Sequence, residues 1–225
     1  EPAFQKGWFE VQDEGSQLVA ELTGAKPGMQ VLDYCAGAGG KTLALSAAME
    51  NHGQVFAHDA EKARLAPIFD RMRRSENRNV QVVSKPAELA PLAGHMDIVL
   101  IDAPCTGSGT WRRRPDAKWR LTPRQLDARK AEQASILDAA KGFVKPGGLL
   151  VYITCSVFTE ENAGQTAAFR DRVPGFSLLD HDRLWRDRVP GHEAAARIDP
   201  GGGICLSPAL SGTDGFYFCA MRRSG

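Results

Sequence analysis

Short apolar runs alternate with segments of helical periodicity along much of the chain. The apolar runs predict strands over residues 31–33, 54–59, 80–83, 97–102 and 149–153. Apolar residues recur at helical spacing from Leu65 to Met72, which predicts an amphipathic helix between the second and third strands. Strands that alternate with helices indicate the α/β class and a doubly wound, mostly parallel sheet, which binds ligands at the carboxyl ends of its strands.

Two further helices are predicted in the second half of the chain. Thr122 and Gln125 have the spacing of a capping box, with Pro123 at the first helical position, so we expect a helix to begin there. Pro146-Gly147-Gly148 is expected to end that helix. Another helix is predicted over residues 159–172, after the fifth strand.

The C-terminal part of the chain predicts two final strands. Apolar runs over residues 176–179 and 216–221 bring the predicted sheet to seven strands, and we expect the last one to be antiparallel. Residues 180–215 are rich in Gly, Pro, Asp and Arg, which predicts loops. Pro27-Gly28 divides an N-terminal segment, residues 1–27, from the α/β domain, residues 28–225.

Composition and charge narrow the class of protein. The 225 residues are 43% hydrophobic, which suits one domain, and the net charge of +1 means that affinity for nucleic acid must come from a local cluster. The five cysteines include no C-x-x-C pair, so no metal and no disulfide framework are expected, and reduced thiols predict a cytoplasmic location. No apolar run has the length of a membrane span. The chain begins at Glu1, and we expect it to be the C-terminal part of a longer, monomeric protein.

The first predicted strand ends in a glycine-rich turn. Its glycines allow a sharp bend and a close approach to a ligand, toward which the next helix directs free N–H groups. A P-loop requires a glycine where Cys35 stands, and a dinucleotide fingerprint requires one at Thr42, so a smaller adenosine-bearing ligand is favoured. The alternative is a tight corner without a ligand. The candidate turn consists of Cys35, Ala36, Gly37, Ala38, Gly39, Gly40 and Lys41.

A carboxylate ends the second predicted strand. Asp59 lies twenty residues beyond Gly39, the separation at which an acidic residue accepts hydrogen bonds from ribose hydroxyls. Its alternative role is the N-cap of the following helix, where aspartate is favoured. Several arginines lie off the apolar stripe of that helix, and most of them are expected to form a solvated face.

One stretch concentrates positive charge between two tryptophans. Five basic residues stand against one acid over residues 112–120. Tryptophan beside arginine offers the stacking surface and phosphate attraction that single-stranded nucleic acid uses. The alternative is an exposed polar loop whose tryptophans pack into the core. The candidate nucleic-acid-binding residues are Trp111, Arg112, Arg113, Arg114, Lys118, Trp119 and Arg120.

Two cysteines each follow a predicted strand. Cys105 comes after the fourth strand, beside Asp102, and Cys155 after the fifth, so both thiols face one cleft if those strands are neighbours. A free cysteine is most often an inert core residue, but two at strand ends beside a carboxylate favour chemistry. A thiolate that adds to position 6 of a pyrimidine enables position 5 to attack a sulfonium methyl, while Asp102 holds the exocyclic edge of cytosine. The pattern leaves open which cysteine is the nucleophile.

These segments resemble the signatures of a known family. The motifs are Asp33-Tyr34-Cys35-Ala36-Gly37-Ala38-Gly39-Gly40-Lys41-Thr42, Asp102-Ala103-Pro104-Cys105-Thr106-Gly107-Ser108-Gly109, Thr154-Cys155-Ser156 and Glu160-Glu161-Asn162, with supporting matches at residues 12–16, 115–119 and 212–216. Together they resemble the Sun family of RNA cytosine-5 methyltransferases over nearly the whole chain. The resemblance implies a Rossmann-like class I methyltransferase fold, S-adenosylmethionine as donor, S-adenosylhomocysteine as product and RNA as substrate, ribosomal more often than transfer RNA.

The resemblance also implies roles for individual residues. In this RNA family the nucleophile is the cysteine of the Thr-Cys signature, Cys155, and Cys105 assists release of the methylated product. Lys41 and Asp102 would contact the target cytosine. The implied cofactor site consists of Cys35, Ala36, Gly37, Ala38, Gly39, Gly40, Lys41, Asp59, Arg64 and Asp102.

The sequence departs from the family pattern in places, and two rival functions remain. The family usually has an adenine-contacting aspartate after the third strand, where this chain has Ser84, so Ser84 or a backbone group is expected to substitute. The turn reads Ala36-Gly37-Ala38-Gly39 where many relatives have Ala-Ala-Pro-Gly. Family members usually carry an RNA-binding module before this domain, and none is visible in this sequence. The rivals are a DNA cytosine-5 methyltransferase with Cys105 as nucleophile and a noncatalytic RNA-binding scaffold.

Overall fold

A mixed nine-stranded sheet forms the centre of the molecule. The computed structural model describes every residue from Glu1 to Gly225. The strands are β1 (Gln30–Asp33), β2 (Gln54–His58), β3 (Val80–Val83), β4 (Met96–Asp102), β5 (Val144–Thr154), β6 (Phe176–Leu178), β7 (Arg197–Ile198), β8 (Ile204–Leu206) and β9 (Phe216–Arg223). They lie in the order β3-β2-β1-β4-β5-β9-β8-β7, and β6 also pairs with β9.

Ten α-helices and five short 3-10 turns connect the strands. The helices are α1 (Pro2–Gln5), α2 (Glu14–Glu21), α3 (Gly40–Ala48), α4 (Lys62–Arg74), α5 (Pro86–Leu89), α6 (Ala117–Arg120), α7 (Pro123–Ala140), α8 (Ala163–Arg172), α9 (His181–Arg188) and α10 (Pro208–Ser211). The 3-10 turns are Ala90–Leu92, Ser108–Thr110, Lys141–Phe143, Thr159–Glu161 and Glu193–Ala195. The predicted capping box is confirmed, because Thr122 and Gln125 cap each other's backbone N–H groups before α7.

The parallel half of the sheet confirms the predicted doubly wound architecture. Strands β1 to β5 pair in parallel, and β1 lies between β2 and β4. The strand order therefore reverses at β1 and β4, and a crevice outside their carboxyl ends is where such sheets bind ligands. Strand β9 runs antiparallel to β5, as predicted for the last strand.

Each face of the sheet carries its own apolar core. Leu32 and Val99 belong to one buried cluster, whereas their neighbours Val31 and Leu100 belong to the other. Side chains alternate between faces along a strand, so a sheet covered on both faces requires an unbroken apolar run. Residues 98–101 of β4 are such a run, and all four are buried.

The prediction of loops over residues 180–215 is wrong. Asp180 caps α9 by accepting a hydrogen bond from the N–H of Arg183 at 3.0 Å, and Trp185, 2% exposed, packs that helix against the core. Beyond α9, strands β7 and β8 form a hairpin that pairs with β9. This hairpin raises the sheet from the predicted seven strands to nine. The elements are short and polar outside, which is why composition alone indicated loops.

One smaller prediction is also wrong, and two apolar segments are less buried than a central strand or a fully packed helix would be. Helix α7 ends at Ala140, and Pro146-Gly147-Gly148 lies within β5, at a shift in its register with β4, where Gly147 adopts φ +76°. Strand β3 is only partly buried because it forms the edge of the sheet. Phe69 is 53% exposed, since α4 buries its apolar stripe only at Leu65 and Ile68.

Candidate active site

The glycine turn lies between β1 and α3, at the point where the strand order reverses. Gly39 adopts φ +83° at the N-cap of α3, a conformation that glycine reaches at little cost. The N–H of Gly37 donates to the Asp59 carboxylate at 3.0 Å, and the N–H of Ala36 donates to the carbonyl of His58 at 2.8 Å. These bonds fasten the turn to the end of β2.

Asp59 and Arg64 lie beside this turn. Asp59 is 4% exposed, and its second carboxylate oxygen accepts from the N–H of Glu61 at 2.9 Å. Arg64 places its guanidinium 3.6 Å from the oxygen that Gly37 contacts. Helix α4 begins after its N-cap Glu61, so Asp59 does not occupy the N-cap position. The carboxylate instead holds the turn, at the place where a ribose contact was predicted.

One arginine expected on a solvated face is instead part of the site. Arg71 donates to the carbonyl of Ala38 at 2.8 Å and pairs with Glu10 at 3.2 Å. Arg74 pairs with the same carboxylate. The N-terminal segment and α4 thus hold the turn from its outer side. Sequence reasoning missed this contact because Glu10 is far from α4 in the chain and carries no motif of its own.

The two thiols predicted to share a cleft are brought together. Cys105 follows β4 and Cys155 follows β5, and these strands are neighbours that pair in parallel up to Asp102 and Ile153. The two Sγ atoms are 3.4 Å apart, within hydrogen-bond distance for sulfur. Both residues are partly exposed rather than sealed in the core.

An ion pair stands beside the thiols. Lys41 Nζ lies 2.7 Å from Asp102 Oδ2, and the side chains are 8% and 34% exposed. The same ammonium is 5.2 Å from the centre of the Phe216 ring. Lys41 comes from the start of α3 and Asp102 from the end of β4, so the pair joins the glycine turn to the thiol-bearing strands.

The pKa values of the two thiols move in opposite directions. The pKa of Cys155 is lowered, chiefly because the Cys105 thiol donates a hydrogen bond to its sulfur, and Lys41 adds attraction for the thiolate against burial and Asp102. The pKa of Cys105 is raised well above its ordinary value, because it keeps the shared proton, is partly removed from solvent and lies near Glu161. The arrangement therefore favours a thiolate on Cys155 and a thiol on Cys105.

Burial opposes ionisation of two further groups near the turn. It raises the pKa of Asp33 to about 7, although the Thr42 hydroxyl donates a hydrogen bond to that carboxyl at 2.7 Å. Burial also raises the pKa of Cys35 well above the ordinary thiol value, with Asp33 adding repulsion. Cys35 is thus a third thiol near the cleft. Its environment disfavours a thiolate, whereas the environment of Cys155 favours one.

A cavity of about 570 Å³ opens onto the two thiols, Asp102 and Arg64. Its walls include Glu61 and Arg64 from the start of α4 and Asp102, Cys105 and Cys155 from the ends of β4 and β5. This volume is within the range of small-molecule sites, about 300–1,000 Å³. A larger cavity of about 750 Å³, between the N-terminal segment and α3, contains neither thiol nor the ion pair. Chemistry rather than size therefore identifies the smaller cavity as the candidate active site.

The basic loop divides into anchored and exposed residues. Arg112 donates to the fully buried carboxylate of Asp214 at 2.6 Å and to Asp13 at 2.7 Å, and Arg113 also pairs with Asp214. Trp111 packs edge-on against a phenylalanine, with ring centroids 5.9 Å apart. The charges of Arg112 and Arg113 are therefore compensated within the protein. The compensating aspartates belong to the motifs at residues 12–16 and 212–216.

The rest of the loop faces solvent. Trp119 is 82% exposed, and Lys118 Nζ lies 5.3 Å from its ring centre. Arg114 is exposed and lines the 570 Å³ cavity. Arg120 is exposed as well and pairs with Asp116 at the start of α6. Positive charge therefore lies at the wall of the thiol cleft, at Arg114, and an exposed stacking surface lies on the same loop, at Trp119.

Ser84 lies at the end of β3, where a contact with adenine was predicted. Its backbone N–H and that of Lys85 both donate to the Glu88 carboxylate at 3.2 Å. The backbone donors at this position are therefore engaged within the protein.

No group of three or more His, Cys, Asp or Glu side chains is placed to hold a metal ion. None of the helices combines the length and the apolarity that crossing a bilayer requires.

The strand order, the turn between β1 and α3 and the paired thiols define a Rossmann-like methyltransferase domain with a two-cysteine cleft. The crystal structure of NSun6 from Pyrococcus horikoshii with SFG superimposes with a TM-score of 0.85 and 28% identity, covering 100% of this chain and 56% of that one. A methyltransferase homolog protein from Pyrococcus horikoshii gives a TM-score of 0.80 and 29% identity, covering 99% and 70%. The predicted fold class is confirmed.

The chain belongs to the 16S rRNA methyltransferase RsmB/F family, whose model matches residues 21–222. Ribosomal RNA small subunit methyltransferase B of Erwinia tasmaniensis is 34% identical over 224 residues, which are 99% of this chain and 48% of that protein. The chain thus spans about half the length of the curated relatives it matches. The predicted family is confirmed.

Proposed function

We propose that this domain transfers a methyl group from S-adenosylmethionine to carbon 5 of cytosine in RNA, with small-subunit ribosomal RNA as the substrate class. The observation that carries the proposal is the thiol pair, 3.4 Å apart, at the wall of a cavity that also contains Asp102 and Arg64. Carbon 5 of cytosine accepts a methyl group only after a nucleophile has added to the ring. Membership of the RsmB/F family supports ribosomal RNA as the substrate class.

The glycine turn fits the donor. A side chain at Gly37 would point its Cβ at Arg64 and Asp59, at 3.6 and 4.0 Å, so glycine keeps open the space between the turn and these groups. S-adenosylmethionine supplies an electrophilic sulfonium methyl when bound. Residues 35–41 would line its methionine and ribose, Asp59 would accept hydrogen bonds from the ribose hydroxyls, and Arg64 would orient Asp59.

The thiol cleft fits the acceptor. Cys155 would add as a thiolate to carbon 6 of cytosine, while Asp102, held by Lys41, would accept from the exocyclic amine. After methyl transfer, the proton on carbon 5 must leave and the bond to Cys155 must break. Cys105 would assist this release, because its sulfur is within hydrogen-bond distance of the departing Cys155 sulfur.

The basic loop fits the strand that carries the target base. Arg114 lines the cavity, and Trp119 and Lys118 are exposed on the same loop, so these residues would stack on a neighbouring base and attract phosphates. The anchored part of the loop, Arg112 and Arg113 with Trp111, would hold that surface in place. Arg120 would add a cation once RNA competes with Asp116 for it.

Two rival functions predict different outcomes. A DNA cytosine-5 methyltransferase with Cys105 as nucleophile predicts that Cys105→Ala, and not Cys155→Ala, abolishes methylation. A noncatalytic scaffold predicts that calorimetry detects no S-adenosylmethionine binding at millimolar concentration.

The proposal is tested by methylation of small-subunit ribosomal RNA with tritiated S-adenosylmethionine, followed by bisulfite mapping. We expect 5-methylcytosine with the wild-type chain and none with Cys155→Ala. Equal incorporation into DNA of the same sequence, or full activity of Cys155→Ala, would contradict it.

A further inference from the structure

A carboxylate with no accessible surface lies behind the two thiols. Glu161 is 0% exposed, yet its two oxygens accept four hydrogen bonds. Oε1 accepts from the backbone N–H of Thr106 at 2.9 Å and from the Gln133 amide at 3.0 Å. Oε2 accepts from the Thr106 hydroxyl at 2.6 Å and from the Ser156 hydroxyl at 2.5 Å. A buried carboxylate is costly unless its acceptors are satisfied in this way.

The donors come from the residues that follow the two cysteines. Thr106 is next to Cys105 and Ser156 is next to Cys155, so one carboxylate joins the two thiol-bearing loops. Other bonds reinforce the junction: the N–H of Gly109 donates to the carbonyl of Cys155 at 2.9 Å. Nothing else in the molecule bonds simultaneously to the residues after both cysteines.

We propose that Glu161 is a positioning residue that fixes the separation of the Cys105 and Cys155 sulfurs, so that both act on one base. Its consequence for catalysis rests on the proposed function, whereas the spacing of the thiols is a property of the folded chain and can be measured without RNA. Glu161 belongs to the Glu160-Glu161-Asn162 motif, whose role the cleft itself does not explain.

A carboxylate suits this task better than an amide. Both neighbouring hydroxyls donate to Glu161, and a carboxylate accepts at each oxygen without offering a competing donor. In Glu161→Gln one oxygen can still accept from Thr106 and Gln133, but the amide nitrogen must donate to the hydroxyls, which then have to turn. The charge of Glu161 also contributes to the raised pKa of Cys105, which keeps the shared proton there. We therefore expect a partial defect in Glu161→Gln and a larger one in Glu161→Ala.

The spacing of the thiols is measured with phenylarsine oxide. This arsenic(III) reagent forms two arsenic–sulfur bonds with a closely spaced thiol pair, and the two thiol protons leave with its oxygen as water. We expect the wild-type chain to lose two free thiols for each arsenic bound. In Glu161→Ala the dissociation constant should rise at least about tenfold, because a mobile pair loses the advantage of preorganisation. Glu160→Ala, which removes the exposed neighbouring carboxylate, is the matched control and should bind as the wild type does.

The catalytic consequence is measured on the same proteins with RNA. We expect Glu161→Ala to lower kcat about 100-fold, as a misplacement of about 1 Å does, with KM for RNA changed less than about twofold. Glu161→Gln should recover part of the loss. A structural role alone would lower thermal stability without this separation of kcat from KM and without weaker arsenical binding.

The outcomes separate the two proposals. If the wild type binds the arsenical but methylates no RNA, the proposed function fails. Arsenical binding by the Glu161 variants still tests whether Glu161 fixes the spacing of the thiols. If Glu161→Ala does not fold, Glu161→Gln and Thr106→Val provide the test, since each weakens the junction while retaining the other bonds. Arsenical binding equal to that of Glu160→Ala in every folded variant would overturn the proposal.

Discussion

Replacing Gly39 with alanine tests the structural basis of the glycine turn. An added Cβ would lie 2.7 Å from Cδ1 of Ile68 and closer still to its Cγ1. Ile68 is fully buried on α4, so it cannot swing into solvent to make room. Gly39 also has φ +83°, which a residue with a Cβ adopts only at a cost.

The expected loss of stability in Gly39→Ala follows from the steric overlap with Ile68 and from the positive φ. The left-handed conformation costs an alanine about 1–2 kcal/mol. Overpacking a filled core by one methyl group costs about 1–3 kcal/mol more. Together they lower the free energy of unfolding by about 2–5 kcal/mol, which for a domain of this size is a fall in Tm of about 4–20 °C. Urea unfolding followed by circular dichroism measures the free energy directly.

Gly28→Ala is the matched control. Gly28 has φ +89°, but no atom lies within 4 Å of an added Cβ, so the variant isolates the conformational cost. The double variant Gly39→Ala, Ile68→Ala should show a favourable coupling of about 1–3 kcal/mol, because the shortened side chain leaves space for the methyl group. A loss in Gly39→Ala no greater than in Gly28→Ala, or no coupling in the double variant, would refute the reasoning.

Three further predictions concern protonation and RNA. Burial lowers the pKa of His181 from 6.5 to about 4, so the folded state should lose up to about 3 kcal/mol as the pH falls from 6.5 to 4. His181→Gln should flatten that part of the unfolding profile, and an unchanged slope would show that other groups cause it. Lys41→Met should move the midpoint of iodoacetamide alkylation at Cys155 to higher pH, since the ammonium stabilises the thiolate; a shift to lower pH would be inconsistent with that attraction. Arg114→Ala should reduce the slope of log Kd for RNA against log salt by about 0.7, whereas Arg112→Ala should mainly lower Tm because its guanidinium is bonded within the protein. The reverse pattern in those two variants would contradict the division of the loop.

The parallel half of the fold could be predicted because its signals are local. Strands β1, β2 and β4 are apolar runs between turn residues, and a sheet buried on both faces requires such runs. The meeting of Cys105 and Cys155 followed from the same logic, since neighbouring parallel strands bring their carboxyl ends to one edge. The residues of the glycine turn and of the two cysteine signatures also indicated the family. The match of residues 21–222 to the RsmB/F family model confirmed it.

The remaining features depend on contacts between distant segments. Arg112 and Arg113 look like RNA ligands in the sequence, because their partner Asp214 lies about a hundred residues further along the chain. The hairpin of β7 and β8 is too short for periodicity to indicate it, and it is stabilised by pairing with β9. Local composition cannot distinguish a charge that is paired in the fold from one that is free for a ligand.

The most direct test of the Cys155 mechanism uses Cys105→Ala, in which release is expected to stall. After incubation with S-adenosylmethionine and ribosomal RNA, nuclease and protease digestion should yield a peptide that carries a nucleotide on Cys155, as located by mass spectrometry. Cys155→Ala should yield no adduct and no methylation. An adduct on another residue, or methylation by Cys155→Ala at the wild-type rate, would contradict the assignment of Cys155 as the nucleophile.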